Sequence, residues 1–79
     1  MKEYVVLFFT HSGAIKFERF SRKNNINCEL MPVPRKLSSN CGVCAKFNFH
    51  GNITSIINED IENIYEIING KYDLVYEEN

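Results

Sequence analysis

Cysteine is scarce in this 79-residue chain: three residues, an odd number that leaves at least one thiol outside any set of disulfide pairs. A disulfide scaffold is therefore not expected. Proline occurs only twice, at Pro32 and Pro34, so the strongest breaks in backbone regularity fall in one place. No apolar run approaches the ~20 residues that a membrane-spanning helix needs. No basic segment leads into a secretory apolar run with a small-residue cleavage site. The expectation is a soluble, cytoplasmic protein with no membrane contact. Nor is there a Ser-His-Asp set, a phosphate-binding loop or a paired-carboxylate site. The chain is expected not to be an enzyme and to carry no cofactor.

What remains is the composition of a small globular domain, 44% apolar and 13% aromatic. A chain of this length buries only about 60% of its unfolded surface, so residues 1–79 form one domain with a modest core. The net charge of −1 hides an uneven distribution. Residues 1–46 hold eight Lys/Arg against three Asp/Glu, and residues 47–79 hold one against seven. A basic half suits an acidic partner or RNA, and opposite ends suit self-association. Two solvated surfaces of opposite sign are the plainer reading.

Lys2 to Thr10 reads as a strand, because Tyr4-Val5-Val6-Leu7-Phe8-Phe9 is β-branched and aromatic without helical spacing. The run is continuous, which implies burial on both faces and points to a homodimer through the sheet face that the helices leave uncovered. Thr10 and Ser12 are both suitable caps for a helix over 11–24, with Ala14, Phe17 and Phe20 as its apolar side. His11 near its start reads as an exposed boundary residue, or else as a neutral hydrogen-bonding group near a thiol. A second strand over 26–33 places Cys28 and Leu30 on one face, and Glu29, Met31 and Val33 on the other. Its prolines end pairing or confine it to a sheet edge. In a third strand over 42–49, Val43, Ala45, Phe47 and Phe49 alternate with Cys44, Lys46 and Asn48. His50-Gly51-Asn52 is a turn, and 53–57 is either a strand extension or a helical turn. Ile61, Ile64, Tyr65 and Ile68 stand at i, i+3, i+4 and i+7, which predicts a second helix from Asn58 to a left-handed cap at Asn69-Gly70. A last strand over 72–76 completes the order β-α-β-β-α-β. The predicted fold is α+β and ferredoxin-like, a four-stranded antiparallel sheet with two helices on one face.

One stretch exceeds what a core needs. Pro32-Val33-Pro34-Arg35 leads, after a short gap, into Ser38-Ser39-Asn40-Cys41-Gly42 and then an apolar strand. In this signature the chain resembles the Se/S (selenium/sulfur) carrier protein-like family of small bacterial domains. The likeness extends more weakly to Thr10-His11, Ala14, Glu18 and the end of the chain. It implies a non-enzymatic carrier that relays a persulfide or selenosulfide on Cys41, from a donor such as a cysteine desulfurase to an acceptor protein.

The residues around Cys41 suit that chemistry. A free thiol near pKa 8.5 is mostly protonated at neutral pH, and cations or amides nearby favour the reactive thiolate. Arg35 and Lys36 are the available cations. Ser38, Ser39 and Asn40 are local hydrogen-bonding groups, Pro34 stiffens the approach, and Gly42 leaves room for a partner's cysteine. Cys41 and Cys44 also form a Cys-x-x-Cys, so Cys44 is a possible second thiol of an oxidoreductase. Strand alternation, however, puts residues i and i+3 on opposite faces. A third alternative is an interaction module in which Cys41 merely packs. One Cys-x-x-Cys supplies only two metal ligands and no second pair exists, so no metal site is expected. Nucleic acid is not an expected partner, because the aromatic-basic strand signature is missing and Phe47 and Phe49 read as core.

Overall fold

The computed structural model describes residues 1–38 and 41–78. Strand β1 spans Lys2–Phe8, helix α1 His11–Lys23, β2 Cys28–Pro32, β3 Val43–Phe49, β4 Ile61–Ile68 and β5 Lys71–Glu77. A short 3₁₀ turn at Ile53–Ile56 precedes β4, which decides the reading of 53–57 in favour of a helical turn. The strands form one five-stranded sheet in the order β2-β3-β1-β4-β5, with every neighbour antiparallel. None of the helices among the described residues is long and apolar enough to cross a membrane.

The ferredoxin-like expectation of four strands and two helices is overturned. The segment read as a second helix is strand β4, paired with β1 on one side and β5 on the other. Its apolar spacing imitates a helix because the pairing slips. Phe8 faces Ile61 but Leu7 faces Asn63, so one residue bulges out. The slip puts Ile61 and Ile64, three apart, on the same side of the sheet, where both are fully buried. Tyr65 and Ile67 join the opposite side. Asn69 and Gly70 both adopt positive φ, 51° and 77°, between the paired residues Ile68 and Lys71. Two left-handed residues between paired strands make a two-residue hairpin turn rather than a helix cap.

The first half of the chain folds as its sequence predicts. Thr10 caps α1, its hydroxyl accepting from the Gly13 amide at 3.1 Å. The helix lies on one face of the sheet and buries Gly13, Ala14, Phe17 and Ser21. Phe17 packs between Phe8 and Phe47, at ring-centroid distances of 5.5 and 5.1 Å. Burying a side chain of this size contributes roughly 1.5–3 kcal/mol. Phe20, assigned to the same apolar side, sits at its rim and stays partly exposed, while Ser21 takes the buried position.

Gly13 is where α1 comes closest to the chain ahead of β4. A Cβ there would stand 2.7 Å from the Asp60 Cβ. The Asp60 carbonyl accepts from the Phe9 amide at 3.1 Å, so the turn before β4 is tied to the turn before α1.

The side of the sheet away from α1 is covered without a second helix. Val5, Leu7 and Cys44 are fully buried there beneath Met31, Val33, Leu37, Tyr65, Ile67 and Tyr72. The continuous apolar run of β1 therefore reflects a central strand enclosed on both faces by its own chain. The burial of Val5 and Leu7 requires no second copy.

Candidate thiol site

Cys41 sits at the mouth of β3, at the end of the loop that joins it to β2. Two backbone bonds shape this loop. The Val33 amide donates to the Gly42 carbonyl at 3.2 Å, one rung beyond the pairing of Pro32 with Val43. The Leu37 amide donates to the Pro34 carbonyl at 3.0 Å and closes a tight turn. Pro32 is tolerated because β2 is an edge strand that pairs only with β3. The turn leaves Arg35 and Lys36 exposed and tucks Leu37 against the Val5–Leu7–Cys44 cluster. Neither cation forms an ion pair among the described residues. Pro34 is partly buried and Ser38 exposed, whereas Ser39 and Asn40 lie outside the described residues. Gly42 holds φ of +75°, and among the described residues, its chain neighbours aside, no atom lies within 4 Å of where its Cβ would stand. Glycine is needed there for backbone conformation.

Among the described residues the three cysteines form no disulfide, and their settings differ. Cys41 is partly buried on the α1 side of the sheet, and its thiol donates to the Val43 carbonyl at 3.2 Å. Cys44 is fully buried on the opposite side, its sulfur 3.7 Å from the Pro32 carbonyl. Burial, followed by the nearby charge that Cys41 carries when ionised, pushes the Cys44 thiol up to about 11. Cys28, partly buried beside α1, is also pushed up by burial. The Ser21 hydroxyl that faces it opposes the shift, and the Glu18 carboxylate adds to it. Cys41 and Cys44 thus pack on opposite sides of the sheet.

His11 proves to be more than a boundary residue. It is exposed, yet its Nε2 lies 2.6 Å from the Cys41 carbonyl oxygen, across 30 residues of sequence. Helix spacing alone could not reveal this contact. It depends on the pairing of Leu7 with Cys44, which sets the end of β1 beside the start of β3. Only that pairing brings the first residue of α1 to the thiol loop.

No group of three or more His, Cys, Asp and Glu among the described residues is placed to hold a metal ion. Two surface hollows lie away from the thiol. One of about 170 Å³ is lined by Glu3, Asn27, Glu29, Lys46 and Asn48. The other, of about 290 Å³, gathers Met1, Asn24 to Asn27, Asn48, Phe49 and His50 at the far end of the sheet. Neither of these two is lined by Cys41.

No curated protein and no solved structure matches the chain. One family model does, the family described as "Putative Se/S carrier protein-like", over residues 3–77. That span takes in α1, the loop bearing Cys41 and the sheet almost from edge to edge, and on this match the chain belongs to the Se/S carrier protein-like family.

Proposed function

We propose that the protein relays sulfur or selenium between proteins, with the transferred atom held on Cys41. One observation carries this reading. Cys28 and Cys44 are both driven toward the protonated form by burial, while Cys41 stands at a loop mouth beside a glycine whose Cβ position no described residue beyond its neighbours crowds. In the acquiring step, the Cys41 thiolate attacks the outer sulfur of a donor persulfide. The new S–S bond forms on Cys41 as the donor's own S–S bond breaks. The donor leaves as a thiolate and takes up a proton, and no outside oxidant or reductant is consumed. A selenium donor follows the same balance. Release to an acceptor thiolate repeats the exchange, so the protein needs one thiol and no cofactor, and the enzymes lie on either side of it.

Arg35 and Lys36, exposed on the same loop, are available to attract an acidic partner surface. A redox cycle through Cys41 and Cys44 has less support, because the two side chains pack on opposite sides of the sheet.

The test is intact-mass measurement after exposure to a cysteine desulfurase and cysteine. The wild type should gain the mass of one sulfur atom, removable by a thiol reductant. Cys44→Ala should keep that gain and Cys41→Ser should lose it. A gain that persists in Cys41→Ser overturns the assignment.

A further inference from the structure

We propose that His11 is the positioning residue of the thiol site: its imidazole latches the Cys41 backbone to the first turn of α1. The inference rests on the reading of Cys41 as the carrier thiol, and it adds a residue that the reading itself does not use. A carbonyl oxygen can only accept, so the 2.6 Å contact requires the hydrogen to sit on Nε2.

The contact joins two different elements. On one side, His11 opens a helix fixed by the Thr10 cap and by the close packing of Gly13 on Asp60. On the other, Cys41 ends a loop whose backbone ties among the described residues include the Val33–Gly42 rung and the Pro34–Leu37 turn. Gly42, at +75° with nothing crowding it, is a natural pivot for the residue before it. His11 is exposed, so water competes for its ring, and little apolar burial is at stake. The contact therefore contributes orientation more than stability. It holds the Cys41 thiol on the α1 side of the sheet, 3.2 Å from the Val43 carbonyl, instead of letting it swing about Gly42.

The expected signature is a split between small reagents and protein donors. Without the latch, the thiol visits more solvent-exposed orientations but loses the one that a docked donor meets. A single hydrogen bond of ordinary strength corresponds to a change of roughly 3- to 10-fold. In His11→Ala and His11→Phe, alkylation of Cys41 by iodoacetamide should therefore speed up by about that factor, and sulfur acquisition from a cysteine desulfurase should slow by a similar one. His11→Gln, whose amide N–H reaches about as far as Nε2, should restore both rates.

Cys28 and Cys44 are internal controls. General loosening of the fold would raise their alkylation along with that of Cys41, whereas loss of a local latch raises Cys41 alone. The inference is overturned if Cys41 alkylation stays within twofold of wild type in His11→Ala, if Cys28 and Cys44 become reactive in step, or if His11→Gln behaves like His11→Ala. A wild type that alkylates normally but takes up no sulfur would sink the carrier reading instead, and the alkylation arm would still judge the latch.

Discussion

Replacing Gly13 by alanine sets two effects of opposite sign against each other. In a helix interior, alanine is favoured over glycine by about 1 kcal/mol, because glycine loses more backbone freedom on folding. Here, however, the added methyl would stand 2.7 Å from the Asp60 Cβ and 3.3 Å from its Cγ, well inside the contact optimum of about 3.5–4.0 Å. Relief requires either α1 or Asp60 to move. Asp60 is pinned through its backbone, its carbonyl bonded to the Phe9 amide at 3.1 Å and its amide to the Asn58 side chain at 2.8 Å. Overpacking of this kind costs roughly 1–3 kcal/mol, and the pinned backbone argues for the upper part of that range. The net expectation is a loss of about 1–2 kcal/mol, with each kcal/mol worth roughly 4–8 °C in Tm for a domain of this size. Urea unfolding should show a lower midpoint at unchanged slope. In an Asp60→Gly background the overlap disappears, and Gly13→Ala should then stabilise. Gly13→Ala as stable as wild type, or more so, would refute the reasoning and show that Asp60 yields freely. Because Gly13 lies two residues from His11, the strained protein should also alkylate faster at Cys41.

Cys44 makes stability sensitive to alkali. Burial pushes its thiol from the ordinary range of about 8.5–9 up to about 11 in the folded protein, so above pH 9 the unfolded chain sheds this proton more readily and folding weakens. Urea midpoints should hold up to about pH 9 and fall toward pH 11, by up to about 3 kcal/mol from this group, and Cys44→Ala should flatten that part of the profile. Gly70→Ala should destabilise by about 1–2 kcal/mol, because φ is +77° and no atom crowds the position, which leaves the whole cost in the backbone. Thermal unfolding measures it, and an unchanged Tm would argue against the two-residue turn. Mild oxidation should leave Cys41 and Cys44 unpaired, since their side chains occupy opposite sides of the sheet. Loss of both free thiols, reversed by a reductant, would contradict that geometry.

The elements carried by local signals were legible in the sequence. Of the two caps the sequence offered, Thr10 and Ser12, Thr10 starts α1, and the alternation of Cys28 and Leu30 with Glu29, Met31 and Val33 correctly divided β2 between the two faces. The same period separated Cys44 from the α1 side and left Cys41 at the strand mouth. Residues 58–70 were not legible, because a bulge shifts the phase of β4 and turns a two-residue period into three-residue spacings. The Asn69-Gly70 pair fits either a helix end or a hairpin, and only the neighbouring β-branched and aromatic residues favoured the latter. The enclosure of Val5 and Leu7 and the reach of His11 to Cys41 both depend on which strands lie side by side. A single chain does not display that order.

The position of β1 has a consequence for how the molecule is made. Its partners are residues 43–49 and 61–68, both synthesised long after it. During translation the run Tyr4 to Phe8 must therefore wait, apolar on both faces and with both edges unsatisfied, until most of the chain has left the ribosome. The α1 segment, which follows at once and packs on the same side as Phe8, is the earliest shelter available to it. Conditions that slow synthesis between residues 24 and 61 would lengthen this vulnerable interval and favour aggregation of nascent chains, even though the finished fold buries Tyr4 to Phe8.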